Sequence, residues 1–337
     1  MIKSQPSRRR FIGITAASAG MALLPVAFPW RAVAGQAPPQ LRIWRGIALG
    51  ADAVLQIHHP DPVVAERLIE RSIAEVRRLE LVFSLYRDDS AISMLNREGF
   101  LDDPPIDLVR LLGESEHYSR LTDGAFDATV QPLWQLYASH FGKLGADPAG
   151  PSDAARAAAV ALVGHEGIEI DESRVRFRRA GMGLTLNGIA QGYITDRVAE
   201  LLLNSGIEKA LVDMGEIRAL GEHPSGEAWR VGIENPFAPE HIAETIEIRS
   251  LAVATSGGYG TLFDAAGRFN HIFDPKTGLT SSRYRSVTVI APLATAADAL
   301  STAFSLMPLD RTQEIIRRLG IRAHFALPDG SRLAQSA

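Results

Sequence analysis

Between residues 209 and 292 six short apolar segments follow one another with no helical stretch between them: KALVDMG, AWRVGIEN, TIEIRS, LAVATSG, RFNHIFD and SVTVIAP. Strands that arrive in series, while helices cluster elsewhere, predict an α+β architecture with largely antiparallel sheets packed with helices, not a doubly wound βαβ fold. Upstream, LRIWRGIALGADAVLQI is strand-like and is broken by Gly46 and Gly50, which suits a hairpin or bulge. Asp61-Pro62 then opens a helix by cap and first-turn proline, with Val64, Leu68, Ile69, Ile73, Val76 and Leu79 on one face. Further helices are expected over Pro105 to Leu121, Asp153 to Val163 and Ile189 to Leu203, and a hairpin turns at Asp171 to Ser173. Two more helices and a strand near IRAHFAL close the chain.

The first 34 residues stand apart. Arg8 and Arg9 precede an apolar run that ends in Ala32-Val33-Ala34, the pattern of a twin-arginine export signal with its cleavage site. The competing possibility is a membrane anchor, since residues 11–30 have the length to span. The expected organisation is therefore a signal over 1–34 and one domain over 35–337, exported to the periplasm, or held at the inner membrane if the signal is uncleaved. Loss of Lys3, Arg8, Arg9, Arg10 and Arg31, with no acid among them, takes the formal charge from −4 to −9. Such a balance argues against a nucleic-acid partner. The absence of cysteine excludes thiolate chemistry, zinc-cysteine sites and lipid attachment to a cysteine, and leaves stability to core packing.

Several stretches can carry chemistry. GMGLTLNGIAQGYITD, residues 181–196, has two glycines of a nucleotide loop but Leu186 where the third belongs. The spacing excludes a strict dinucleotide fingerprint and leaves Gly188 as a point of close backbone approach, its carbonyl a potential hard ligand beside a helix start. In TAADALSTAF, Asp298 and Thr302 lie four apart on one helical face and can meet one hard cation, Mg²⁺ above all. Thr295-x-x-Asp298 is equally a helix-capping pair. In NHIFDPKTG, His271 at a strand end can take a proton from a hydroxyl and Asp274 can orient it or hold a ligand, although a structural histidine fits as well. TDGAFDATVQPLW can bring backbone amides and Asp127 to a ligand beside Phe126 and Trp134, or simply end a helix. VATSGGYG places Ser256 among glycines, but Ala254 and the missing strand-to-helix elbow exclude a hydrolase nucleophile.

Five segments in order, FSLYRDDSAISMLN (83–96), TDGAFDATVQPLW, LTLNGIAQGYITD, ALVDMGEIRALG (210–221) and the set VATSG, HIFDPKTG, SVTVIAP and ADALSTAF, together resemble the ApbE family of flavin transferases. The resemblance implies a T-fold-like catalytic unit with a central ligand cleft. It also implies transfer of FMN from FAD to a Thr or Ser hydroxyl of an acceptor flavoprotein, a membrane-associated electron-transfer protein, with release of AMP. On this basis Gly188, Asp298 and Thr302 would hold Mg²⁺ or Mn²⁺. Leu49, Tyr86, Ala125, Phe126, Asp127, Thr185, Gln191 and Ile272 would contact FAD, and His271 would activate the hydroxyl. Thr185 stands where the family usually has Asp, Gln191 where Lys is common, Leu49-Gly50-Ala51 for Met-Gly-Thr, and Glu216 for a second glycine. The alternatives are a non-catalytic periplasmic FAD-binding protein and an FAD pyrophosphatase that uses water.

Overall fold

The structure is a computed structural model and describes residues 39–171 and 173–337. The export segment expected over 1–34 lies outside the described residues. No described helix is long and apolar enough to cross a membrane.

The described residues open with a hairpin of β1 (Gln40–Ala48) and β2 (Ala51–His59), whose two-residue turn places both Leu49 (φ 46°) and Gly50 (φ 77°) in the left-handed region. Such turns match the twist of the strands they join. The long helix α1 (Pro62–Phe83) follows, capped as expected by Asp61, whose Oδ1 accepts from Val63 N at 2.8 Å. A mainly helical stretch continues with α2 (Ala91–Glu98), the short strand β3 (Phe100–Asp102), α3 (Ile106–Leu121), α4 (Gln131–Phe141) and α5 (Asp153–Val160). The strands β4 (Ile168–Ile170) and β5 (Arg174–Phe177) pair with β3 in a small sheet, order β3-β5-β4. After α6 (Ala190–Asn204) come β6 (Ala210–Asp213), β7 (Ile217–Leu220), β8 (Trp229–Asn235), β9 (Ala238–Ile248) and β10 (Ala252–Ser256). The chain ends with β11 (Ser286–Ala291), α7 (Ala294–Phe304), α8 (Leu309–Leu319), β12 (Arg322–Ala326) and β13 (Arg332–Ser336).

The main sheet has eight strands in the order β1-β2-β6-β7-β10-β11-β12-β13, and every neighbouring pair is antiparallel. The protein is α+β. Period-two patterning divides two cores across this sheet. Val212, Ala254, Val287, Val289 and Ala291 face the helices and join Leu68, Leu79, Val198 and Phe304 in the principal core. Leu211, Val253 and Ile290, one position out of phase, face the opposite side, where the β8–β9 hairpin covers them with Trp229, Val231, Ile233, Ile246 and Ile248. A third, aromatic cluster of Tyr137, Phe263, Phe269 and Phe273 joins α4 to the loop after β10.

The expected strand at RFNHIFD does not form; only isolated bridges, Leu262 with Asn270 and Phe273 with Thr280, occur there. Side chains take the hydrogen bonds that a ladder would need. Asp264 Oδ1 accepts from Arg268 N and Phe269 N, and Asn270 Oδ1 from Ile272 N.

Two helices, α6 and α7, cross against the sheet, and their contact positions the site. Gly192 sits where a Cβ would lie 2.3 Å from the Ala294 carbonyl oxygen. The two helices also exchange carboxylates. Asp196 of α6 accepts from Ala294 N and Thr295 N, both at 2.9 Å, and from Thr295 Oγ1 at 2.7 Å. Asp298 of α7 accepts from Gly192 N at 3.0 Å. Arg218 closes the pair by donating to Asp196 Oδ1 at 2.7 Å. The alternative that Thr295 and Asp298 form a cap within α7 is thereby resolved: the cap comes from another helix, and Asp298 is directed toward the start of α6.

Because the Ala294 carbonyl is backbone and cannot swing away, Gly192→Ala should cost about 2–3 kcal/mol by overpacking. The expected result is a lowered Tm in thermal unfolding, while Gly206→Ala, which meets nothing within 4 Å but has φ 83°, tests backbone strain alone.

Candidate active site

The stretch 181–196 supplies the centre of the site. Asn96, at the end of the segment 83–96, clamps it, accepting from Leu184 N at 2.7 Å and donating to Leu184 O at 2.8 Å. Thr185 N donates to Ala128 O at 2.8 Å, which fastens the same stretch to the TDGAFDAT loop. The chain then turns at residues 186–189 and enters α6. At Gly188 a Cβ would stand 2.9 Å from Thr302 Oγ1 and 3.5 Å from Phe126 Cε2. A glycine here lets the backbone come close to the hydroxyl.

Three of the predicted positions therefore meet in one corner. Gly188 and Thr302 are in contact, and Asp298 lies one turn before Thr302 on the same face of α7 with its carboxylate at the first turn of α6. Asp298 is 2% exposed, so its carboxylate belongs to the interior of this corner and not to a solvated helix face. Behind Thr302, Ser256 Oγ at the end of β10 lies 3.1 Å from Thr302 Oγ1 and 2.7 Å from Ser301 Oγ. The groups expected to act as donors here are one carboxylate, one hydroxyl and one backbone carbonyl, all oxygen. No cluster of three His, Cys, Asp or Glu side chains able to hold a metal occurs among the described residues. Oxygen donors with a single carboxylate suit a hard cation that takes its remaining ligands from water and phosphate.

The other candidates divide into those tied to this corner and those apart from it. Phe126 is buried against Gly188 and Tyr118. Ala125 is packed against the core at the same turn. Gln191 is buried, its amide over Gly215, where a Cβ would meet Nε2 at 2.5 Å; Gly215 adopts φ 104°. Asp127 is held by its own loop and by a second turn: Oδ1 accepts from Thr129 N and Thr129 Oγ1, and Oδ2 from His165 N at 3.0 Å. The Asp127 carboxylate in turn raises the pKa of the His165 imidazole. Leu49 donates its amide to Glu80 Oε1 at 2.9 Å from the β1–β2 turn. Tyr86 follows α1 and is 74% exposed.

The segment with His271 is tied to the ends of β10 and α7. Asn270 reaches Gly258, one residue beyond Ser256-Gly257, and donates to Ser281 O; Ser281 Oγ donates to Ser305 O at the end of α7. Lys276 Cε comes within 3.9 Å of a Cβ placed on Gly124, so the DPKTG turn meets the TDGAFDAT loop. His271 Nδ1 lies 3.3 Å from the Thr261 carbonyl. A carbonyl only accepts, so in this bond Nδ1 is the donor. Asp274 Oδ1 accepts from Lys276 N and Thr277 N and so holds the turn. Ile272, two residues before Asp274, is buried.

A cavity of about 560 Å³ lies elsewhere, along the later turns of α6 against α1, lined by Arg67, Arg71 and Arg197 among others. It contains none of the candidate residues. Chemistry and not cavity size marks the site.

Sequence reasoning passed over Asp196, Ser301 and Asp213. The first two are polar residues on otherwise buried stretches of α6 and α7. Asp213 ends β6 with Oδ1 accepting from Gly215 N at 3.1 Å. Burial, with the Asp52 charge adding to it, pushes its carboxyl up to about 7.

Fold and corner define a class: an antiparallel α+β unit in which two packed helices, a strand end and two loops meet at an oxygen-rich corner. A family model described as "ApbE family" matches residues 49–325. The chain belongs to the ApbE family. It is 34% identical over 249 residues to the FAD:protein FMN transferase of Vibrio cholerae, covering 72% of this chain and 73% of that protein. Against the FAD:protein FMN transferase of Haemophilus influenzae the identity is 28% over 275 residues, covering 78% and 79%. Among solved structures, the ApbE protein of Thermotoga maritima superposes with TM-score 0.77 at 28% identity, covering 88% of this chain and 97% of that one. The apo flavinyl transferase ApbE of Pseudomonas stutzeri gives TM-score 0.73 at 29% identity, covering 89% and 95%.

The Asp213 carboxyl yields a signed pH dependence. Its pKa in the folded protein exceeds the ordinary 3.8, so the stability it contributes is full below about 4 and is lost as pH rises toward 7. Asp213→Asn keeps an acceptor for Gly215 N and abolishes the titration. Thermal melts from pH 4.5 to 7.5 should show the variant gaining on the wild type as pH rises.

Proposed function

We propose that this protein is an FAD:protein FMN transferase that moves FMN onto a Thr or Ser hydroxyl of an acceptor flavoprotein, with release of AMP. The observation that carries the proposal is the corner at Gly188, Asp298 and Thr302. Family membership and the names of the relatives support the same activity.

In the proposed site the Gly188 carbonyl, the Asp298 carboxylate and the Thr302 hydroxyl would hold a Mg²⁺ ion, with Mn²⁺ as a substitute. Bound there together with a diphosphate, such an ion neutralises phosphate charge that would otherwise repel an incoming oxygen. The protein's own groups do the rest. Phe126 and Ala125 supply an apolar wall, and Gln191 supplies a neutral amide in place of a cation. His271 Nε2 takes the proton of the acceptor hydroxyl as its oxygen bonds to the FMN-side phosphorus. The phosphoanhydride bond breaks and AMP leaves with the bridging oxygen. Holding the hydroxyl, the imidazole and the diphosphate in one cleft removes much of the entropic barrier. The acceptor is proposed to be a membrane-associated electron-transfer protein, and the location the periplasm, on the strength of Arg8-Arg9 and the apolar run behind them.

Incubation with FAD, Mg²⁺ and a candidate acceptor should raise the acceptor's mass by one FMN group in step with AMP formation. Asp298→Ala should abolish both, and His271→Ala should slow transfer by roughly 10²–10⁴ while leaving FAD bound. Intact FAD after prolonged incubation would instead identify a binding protein, and FMN released to solvent without an acceptor a pyrophosphatase.

A further inference from the structure

Ser256 was excluded above as a hydrolase nucleophile, and the structure gives it a different place. It ends β10, opposite Val287 of β11, with its Oγ between two hydroxyls of α7. Ser301 Oγ, fully buried, also lies 3.0 Å from the Asp298 carbonyl. These contacts form a chain with one fixed end. The Asp298 carbonyl can only accept, so Ser301 donates to it. The Ser301 proton is then committed, and Ser256 must donate in the 2.7 Å contact. The Ser256 proton is committed in turn, and Thr302 must donate in the 3.1 Å contact. Run this way, three protons make three hydrogen bonds. In the opposite sense the bond to the Asp298 carbonyl is lost, and the Thr302 proton is turned out of the chain, toward the corner it shares with Gly188.

We infer that Ser256 is a positioning residue that draws the Thr302 proton away from the cleft, so that Thr302 Oγ1 presents only lone pairs to the cation. The inference rests on the cation-binding role proposed above. The same relay ties the orientation of Thr302 to the backbone of Asp298, so the two side-chain ligands are set by one network. Such supporting partners tune ligand basicity and orientation without touching the metal.

The test is a Mn²⁺ titration followed by electron paramagnetic resonance, with FAD present and no acceptor, on wild type, Ser256→Ala, Ser256→Thr, Thr302→Ala and Asp298→Ala. Ser256→Ala should weaken Mn²⁺ binding about tenfold or more. Ser256→Thr, which keeps the hydroxyl, should bind within about twofold of wild type. Adding Ser256→Ala to Thr302→Ala should bring no further loss, because the relay then has no terminal ligand to orient. Unchanged Mn²⁺ affinity in Ser256→Ala, with binding lost in Asp298→Ala, overturns the role of Ser256 alone. So does an equal fall in metal-free FAD affinity, which marks general damage to the cleft. Mn²⁺ binding that survives Asp298→Ala overturns the cation site itself.

Discussion

The exchange of carboxylates between α6 and α7 is the interaction on which the rest of the site depends. Each helix begins without a side-chain cap of its own, since Ile189 and Leu293 occupy the capping positions. Uncapped helix starts leave amides that must find partners. Each helix finds one on the other, through Asp298 for Gly192 N and Asp196 for Ala294 N and Thr295 N. Capping of this kind contributes about 0.5–2 kcal/mol per helix. Its larger effect is geometric, because the two starts are held at one depth and Asp298 is delivered to the corner with Gly188.

Small residues make this crossing physically admissible. Gly192 removes the side chain at the closest approach, and Ala294, Ala297, Ala299 and Ala303 are all fully buried along α7. The same economy recurs at Gly188 against Thr302 and at Gly215 beneath Gln191. The glycines of the 181–196 stretch are thus spacers between packed elements. They do not form a phosphate loop of the dinucleotide type, which agrees with their irregular spacing.

Much of this was legible in the sequence, and the failures have physical causes. The serial strands predicted an antiparallel sheet because their alternation is local, and Asp61-Pro62 announced α1 because capping is local too. Asp298 and Thr302 were legible as a pair because four residues are one helical turn. The strand expected at RFNHIFD failed because Asp264 and Asn270 bond backbone amides directly, a competition that apolar patterning does not register. Helix α4 has no counterpart among the expected helices, although Gln131-Pro132 places a proline in its first turn. The partnership of Asp196 with α7 could not be read, since the two are 98 and 99 residues apart. Nor could the alignment of Ser256 with Ser301, 45 residues away.

One feature of α6 bears on what its positive end can attract. The positive start of a helix commonly attracts phosphate directly. Here that position already has a resident anion, since Asp298 sits on Gly192 N. The positive end of α6 is therefore answered from within the protein, and any further anion brought to it would share the position with a buried carboxylate.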